Sequence, residues 1–155
     1  MTNHHVIDNS TEVRVIFEDG RMYEANIIGS DRLTDIGLVK IVASNLIPIS
    51  IGNSDKMLVG DLAVAIGHPL TLGAAPTVTT GVVSALERRL DVGGDLMGSS
   101  VTLFGLIQTD APITRGSSGG ALINKNGELI GITTAIATAD AVSYTHLRAH
   151  ETTSH

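Results

Sequence analysis

The residues best suited to chemistry form a glycine- and serine-rich loop at positions 116–120, with the sequence Gly-Ser-Ser-Gly-Gly. Because glycine accepts positive φ angles and has no side chain, such a loop can expose a serine hydroxyl and bring backbone N–H groups close to a substrate. The same composition is typical of a flexible linker. The apolar runs at 106–107 and 121–123 favour the first interpretation, since they predict strands that hold both ends of the loop.

A serine hydroxyl becomes a nucleophile only when a neighbouring base removes its proton, and the usual base is a histidine oriented by a carboxylate. The histidines outside the C-terminal tail are His4, His5 and His68. Asp35 directly precedes an apolar run, where a carboxylate would be partly buried at the start of a strand. Each signal is weak alone, because an acid before a strand is more often a turn residue and a terminal histidine is usually solvated.

The composition indicates one folded domain. The chain has 155 residues, of which 43% are hydrophobic and 3% aromatic, so we expect a core built from Val, Ile, Leu and Ala. The net charge of −6 disfavours nucleic-acid binding, which usually needs a basic surface. The absence of cysteine excludes disulfides and thiolate catalysis. No apolar run approaches the ~18 residues of a membrane-spanning helix, and positions 1–5 lack a signal-peptide pattern.

Short β-branched runs separated by turns predict an all-β fold. An Asp-Gly pair at 19–20 joins two such runs and the turn at 124–128 joins two more, so we expect a hairpin at each place. No convincing amphipathic helix is present, and the pattern is typical of a β-sandwich or barrel. Two β units, about 1–66 and 77–140, are candidates for paired barrels.

Several segments together resemble the HtrA/Deg group of trypsin-like serine proteases, in the same order along the chain and over nearly all of residues 1–138. The matching segments are Thr2-Asn3-His4-His5-Val6-Ile7, Thr34-Asp35-Ile36, Val59-Gly60-Asp61, Ala65-Ile66-Gly67-His68-Pro69, residues 77–86, residues 107–111, residues 116–122 and residues 127–132.

The resemblance implies a catalytic triad of His5, Asp35 and Ser118. His5 rather than His4 matches the base, because the family has its catalytic histidine directly before the valine. Ser118 would attack a peptide carbonyl, His5 would take its proton and Asp35 would orient the imidazole. The backbone N–H groups of Gly116 and Ser118 would form the oxyanion hole.

The resemblance also implies a set of substrate-binding residues. Ile113 matches the lining of the primary specificity pocket, and its apolar bulk suggests a preference for small aliphatic side chains. The segment 132–134 matches the strand that pairs with substrate backbone in this family. The expected substrate-binding residues are Ile113, Ser117, Ile132, Thr133 and Thr134. Ser117 replaces the usual asparagine, and Arg115 replaces a proline that would fix φ.

The expected fold is two six-stranded antiparallel β-barrels of the trypsin-like type, truncated at both ends. We expect the protease domain to span residues 1–140, with the first barrel at about 1–66 and the second at 77–140. The polar, histidine-rich residues 141–155 are expected to be a non-homologous tail, disordered or artefactual.

The expected function is that of a serine endopeptidase that cleaves unfolded or misfolded proteins in the bacterial periplasm or cell envelope. A homotrimer of the full-length protein would fit the family. The alternative is an inactive truncated module that only binds exposed peptides. The tail histidines, His146, His150 and His155, lack zinc-protease spacing, since three residues separate Glu151 from His155 where the motif has two. We therefore expect no metal and no cofactor.

Overall fold

The predicted strand runs form two antiparallel β-sheets in the computed structural model, which describes residues 1–68, 75–92, 100–114, 116–134 and 143–146. The strands are β1 (Thr2–Asn3), β2 (Val13–Ile16), β3 (Met22–Asp31), β4 (Ile36–Ile41), β5 (Leu62–Gly67), β6 (Thr77–Val92), β7 (Val101–Thr109), β8 (Ala121–Ile123), β9 (Leu129–Thr134) and β10 (Ser143–His146). Two short helices, α1 (His4–Ile7) and a 3₁₀ turn (Ser54–Lys56), complete the described elements. The all-β prediction is confirmed.

The first sheet has the strand order β1-β4-β3-β2. The hairpin expected at Asp19-Gly20 is present between β2 and β3, where Gly20 has φ +85° and the Phe17 N–H donates to the Arg21 carbonyl at 2.9 Å. Phe17 and Tyr23 stack edge to face beside the turn, with ring centroids 5.7 Å apart. The described part of this sheet has four strands, where six were expected.

Helix α1 lies against β4 and contains His4 and His5. Its Ile7 side chain is buried over Gly37, where an added Cβ would lie 2.6 Å from Ile7 Cδ1. Glycine at this position therefore permits the close approach of helix and strand. Four residues are too few for a helical hydrophobic period, which explains why the sequence did not predict α1.

The second sheet closes into a six-stranded barrel with the order β10-β7-β6-β5-β8-β9, in agreement with the expected strand number. Its core is aliphatic, as the composition predicted. One cluster of buried side chains consists of Met57, Ala63, Ala65, Val83, Ile107, Ala111, Leu122 and Ile130, and a second consists of Val92, Val101, Leu103 and Leu106.

The expected boundary between the barrels is wrong. Strand β5 was assigned to the first barrel, but it pairs with β6 and β8 inside the second. The expectation of disorder is wrong for residues 143–146, because β10 fills the gap between β7 and β9, whereas the non-homologous or artefactual origin of residues 141–155 stays a prediction. Thr145 in this strand is fully buried. The remaining residues of the predicted tail lie outside the described residues.

Strand β6 has 16 residues and passes Gly81 without a bulge, since Gly81 pairs regularly with Ala63. An added Cβ at Gly81 would overlap the Asp110 carboxylate, so the glycine permits a close approach. The irregular pairing lies further along β6, where Glu87 has φ +52°.

In the described part of the chain, no helix has the length and apolar character needed to cross a bilayer.

Candidate active site

A buried carboxylate and a histidine form the centre of the candidate site. Asp35 is completely buried, and His5 Nδ1 lies 2.8 Å from its Oδ2 and 3.0 Å from its Oδ1. The His5 backbone N–H also donates to Oδ1 at 3.0 Å. When Nδ1 carries the proton that this carboxylate accepts, Nε2 on the other side of the ring is left to receive one.

The backbone of Asp35 is held in an unusual conformation, with φ +52°. Aspartate tolerates this left-handed region better than most residues, at a cost of about 1–3 kcal/mol. Its carbonyl oxygen accepts two hydrogen bonds, from the His4 backbone N–H at 3.0 Å and from Asn3 Nδ2 at 3.1 Å. These bonds stabilise the conformation that directs the carboxylate at His5.

The turn before Asp35 is organised by Asp31. Its carboxylate accepts hydrogen bonds from the Thr34 hydroxyl at 2.7 Å and from the Leu33 N–H at 3.1 Å. These two donors hold the pKa of Asp31 below its usual value, first through the Thr34 hydroxyl and then through the Leu33 N–H.

Of the two adjacent histidines, only His5 faces Asp35. The Nδ1 atom of His4 lies 2.6 Å from Ser30 Oγ, on the outer part of the first sheet. The structure therefore brings together the pair that the sequence predicted, His5 and Asp35. His68 follows β5 and is exposed.

The serine loop, residues 110–120, begins with a set of bonds to β6. Thr109 Oγ1 donates to the Val82 carbonyl at 2.8 Å and accepts the Ala111 N–H at 3.1 Å. The Asp110 carboxylate accepts the Val82 N–H at 2.7 Å. These bonds fix the entrance of the loop on the barrel.

The end of the serine loop is bound by Thr133. The Gly119 N–H donates to the Thr133 carbonyl, and the Thr133 N–H donates to the Gly120 carbonyl, both at 2.9 Å. The Ser117 carbonyl accepts the Gly120 N–H at 3.0 Å and also the Thr133 hydroxyl. Ser118 is half-buried in the turn that these bonds define.

Two contacts place the serine loop beside the strand that leads into α1. Gly119 has φ +84°, and an added Cβ there would overlap Thr2 Oγ1 in β1. The Asn3 amide reaches from β1 to Thr134 Oγ1 in β9 at 3.0 Å. Ser118 therefore lies in a loop that contacts β1, which continues directly into the helix carrying His5. The predicted oxyanion donor Gly116 lies at the start of the same turn with φ +92°.

A cavity of about 130 Å³ lies beside the serine loop, and it contains Ile113, Ser117 and Thr133 of the predicted substrate-binding set. The other lining residues are Ala65, Ile66, Gly67, Thr77, Thr79, Pro112 and Thr114. Gly67 permits the loop to approach, since an added Cβ would lie 2.9 Å from Ser117 Cβ. Arg115 lies outside the described residues.

The expected pairing of Ile132 and Thr133 with substrate backbone stays a prediction, since their backbone groups already have partners within the chain. Ile132 is buried and pairs with β8 on one side and β10 on the other. Both backbone groups of Thr133 bind the serine loop. The role of Thr134, at the end of β9, stays a prediction.

A larger cavity, of about 540 Å³, lies near the turn between β8 and β9 and contains none of the predicted site residues. A metal site is a separate question. Among the described residues, no group of three or more His, Asp or Glu side chains is placed to hold a metal ion. The side chains of His146, His150 and His155 lie outside the described part of the chain.

Sequence reasoning missed the structural roles of Asn3 and Thr133. Asn3 is fully buried, and its Oδ1 atom has no hydrogen-bond partner among the described residues. A buried unsatisfied acceptor of this kind costs about 1–3 kcal/mol. The sequence signal for Asn3 was weak, because it consists only of a polar residue directly before the candidate histidines.

Residues 1–132 match the model of the trypsin-like peptidase domain family. A probable periplasmic serine protease of Haemophilus influenzae, described as do/HhoA-like, is 51% identical over 137 residues, covering 88% of this chain and 28% of that protein. The periplasmic serine endoprotease DegP of Escherichia coli (strain K12) is 49% identical over 141 residues, covering 90% of this chain and 28% of that protein. The chain thus spans about 28% of the length of these curated relatives.

A solved structure of the HtrA-type protease AlgW with a decapeptide matches with a TM-score of 0.79 and 38% sequence identity, covering 93% of this chain and 43% of that one. The family model and the fold agree with the resemblance that the sequence motifs indicated. The chain therefore belongs to the trypsin-like peptidase family, where it is similar to the HtrA/Deg-type serine proteases.

Proposed function

We propose that this chain carries the catalytic unit of a serine endopeptidase, with Ser118 as nucleophile, His5 as base and Asp35 as the residue that orients the base. The observation that carries the proposal is the buried Asp35 carboxylate, which accepts hydrogen bonds from both Nδ1 and the backbone N–H of His5. The serine loop beside β1 supports it.

The proposed reaction is acyl transfer to water. Ser118 Oγ attacks the peptide carbonyl as its proton passes to His5 Nε2, and Asp35 stabilises the imidazolium that forms. The Gly116 and Ser118 N–H groups donate to the oxyanion. His5 then gives the proton to the leaving amine, and the C–N bond breaks. Water, activated by His5, releases the acyl group and restores the serine.

The proposed substrates are unfolded or misfolded polypeptides. A protease site needs its substrate extended, and a chain without tertiary structure adopts that form most easily. The small cavity with the apolar residues Ile66, Pro112 and Ile113 suits a small aliphatic side chain before the cleaved bond. The AlgW structure contains a decapeptide, and the H. influenzae and E. coli relatives are named periplasmic, so we extend the proposal to the periplasm or cell envelope. A homotrimer of the longer protein is part of the same proposal.

Labelling with a fluorophosphonate probe tests the function directly, because the probe reacts with an activated serine without needing a peptide substrate. The parent chain is expected to label, whereas Ser118→Ala and His5→Ala are not. Ser10→Ala, which removes the hydroxyl of an exposed serine, serves as the matched control and should label like the parent.

If the parent labels no better than Ser118→Ala, the chain is not an active protease and the peptide-binding alternative gains support. A cleavage assay on casein, with native folded proteins in parallel, then tests the substrate class. Equal cleavage of folded and unfolded proteins would contradict the proposed preference.

A further inference from the structure

One buried amide connects the two sheets at the candidate site. Asn3 donates one amide hydrogen to the Asp35 carbonyl at 3.1 Å, in the first sheet, and the other to Thr134 Oγ1 at 3.0 Å, in the barrel. Both acceptors are buried, as is Asn3 itself. The two hydrogens of a single NH₂ group are therefore shared between the two halves of the fold.

The orientation of the Asn3 amide is determined by its partners. The Asp35 carbonyl oxygen can only accept, so the nitrogen and not the oxygen of the amide must face it. This orientation leaves Asn3 Oδ1 buried without a partner among the described residues. The amide therefore keeps two bonds across the sheets while its acceptor stays unsatisfied, which a position selected for burial alone would avoid.

The two hydrogen bonds of the Asn3 amide end next to residues that hold His5 and the serine loop. On one side, the Asp35 carbonyl belongs to the residue whose carboxylate holds His5. On the other side, Thr134 directly follows Thr133, which binds the Ser117 carbonyl and both glycines after Ser118. His5 and the serine loop thus stand on different sheets, and Asn3 bonds to the support of each.

We propose that Asn3 is a positioning residue that sets the distance between the His5–Asp35 pair and Ser118. The proposal rests on the proposed protease function and adds a residue outside the triad to it. A misplacement of reacting groups by about 1 Å can reduce a rate by about 10². Strand β1 is the edge strand of the first sheet and contacts β9 of the barrel, so losing the amide is expected to displace one sheet against the other.

The test separates positioning from general destabilisation by resolving probe labelling into the maximal rate, kinact, and the half-saturating probe concentration, KI. We expect Asn3→Ala to lower kinact by about 10- to 100-fold while KI stays within about twofold, since a small probe touches only the serine region. Thr134→Val keeps the shape of the side chain and removes only the hydrogen bond from Asn3 to the barrel. It should also lower kinact. If Asn3→Ala does not fold, Thr134→Val still tests the proposal.

The matched control is Asn124→Ala. Asn124 also makes several side-chain hydrogen bonds, accepting the Asn126 N–H at 2.9 Å and the Glu128 N–H at 3.0 Å, but it lies in the turn between β8 and β9. All variants are measured well below their thermal midpoints. Asn124→Ala is expected to lower the midpoint and leave kinact unchanged. An equal loss of kinact in Asn124→Ala would overturn the proposal.

A second readout does not depend on activity. The downfield proton resonance of His5 Nδ1–H reports its hydrogen bond to Asp35, and it should shift or broaden in Asn3→Ala but not in Asn124→Ala. Unchanged kinact together with an unchanged resonance in Asn3→Ala and Thr134→Val would overturn the role of Asn3. If the parent does not label while the resonance still responds to Asn3→Ala, the protease function fails, and Asn3 holds the His5–Asp35 pair without a role in placing it against Ser118.

Discussion

The candidate chemistry depends on one carboxylate that has no contact with solvent. A buried charge is costly unless it is paired and hydrogen-bonded, and Asp35 meets this condition through His5. In the proposed reaction, the His5–Asp35 pair is sensitive to small changes in these contacts, since the carboxylate both stabilises the imidazolium that forms and selects which ring nitrogen carries the proton.

Replacing Asp35 by asparagine tests this dependence with little change of size. An amide cannot balance the imidazolium charge, and its NH₂ group favours the wrong tautomer of His5. We expect Asp35→Asn to lower fluorophosphonate labelling by about 10²–10⁴. Asp8→Asn, an equal change of charge at an exposed carboxylate just after α1, should label at the parental rate. Retained labelling in Asp35→Asn would contradict the assignment.

Asp31 predicts a pH effect on the turn that precedes Asp35. Its pKa is lowered by the Thr34 hydroxyl and the Leu33 N–H, so the unfolded state binds a proton more readily than the folded state. The stability that these bonds contribute is present above the unfolded pKa of about 3.9 and is lost as pH falls through the lower folded value. Denaturation of the parent and Asp31→Asn from neutral to acidic pH should show a smaller acid loss in the variant; parallel profiles would contradict this.

At the scale of elements, the serine loop is held by backbone contacts that only glycine permits. An added Cβ at Gly120 would overlap the Ile66 carbonyl, and at Gly67 it would meet Ser117. The serine loop is therefore closely packed against β5, β9 and β1. A rigid loop of this kind keeps the serine and the N–H donors at fixed positions, as an oxyanion site requires.

Gly120→Ala tests the packing of this loop. Its methyl group would have to displace backbone, which costs about 1–3 kcal/mol in a well-packed region, and the displaced loop should lose most of its labelling. Gly29→Ala is the matched control, because the nearest atom to its added Cβ is Leu38 Cβ at 4.0 Å. Chemical denaturation and probe labelling of both variants give the comparison. Equal behaviour of the two variants would show that the loop is not tightly packed.

At the scale of the whole molecule, local patterns predicted the all-β class, the two hairpins and the aliphatic core. The triad came from several motifs in the right order, and the contact between His5 and Asp35 agrees with it. What the sequence did not predict depends on contacts between distant residues. The bond between Asn3 and Thr134 joins positions 131 residues apart, and no local pattern encodes it.

The assignment of strands to sheets failed for the same reason. Strand β5 has a clear apolar run, but nothing in that run specifies whether it pairs with the strands before or after it. Strand β10 lies in a polar, histidine-rich segment without strand alternation. Its place is determined by the two neighbouring strands, β7 and β9, whose backbone groups would otherwise form open edges.

Strand β10 leads to a prediction about the whole barrel. A chain ending at residue 140 matches the expected domain boundary but lacks this strand, so it leaves the edges of β7 and β9 unpaired. We expect this shortened chain to have a lower free energy of unfolding than the full chain and to aggregate more readily, because open edges pair with other molecules. Urea denaturation and light scattering at equal protein concentration measure the two effects.

A point variant locates the effect in the strand itself. Thr145 is buried and pairs with both neighbours, so Thr145→Pro removes a backbone donor from the middle of β10. It should reproduce much of the loss seen in the shortened chain. Thr145→Ser keeps the backbone N–H and the hydroxyl and should lose little. If the shortened chain and Thr145→Pro are as stable as the full chain, residues 143–146 do not close the barrel and the original tail prediction is restored.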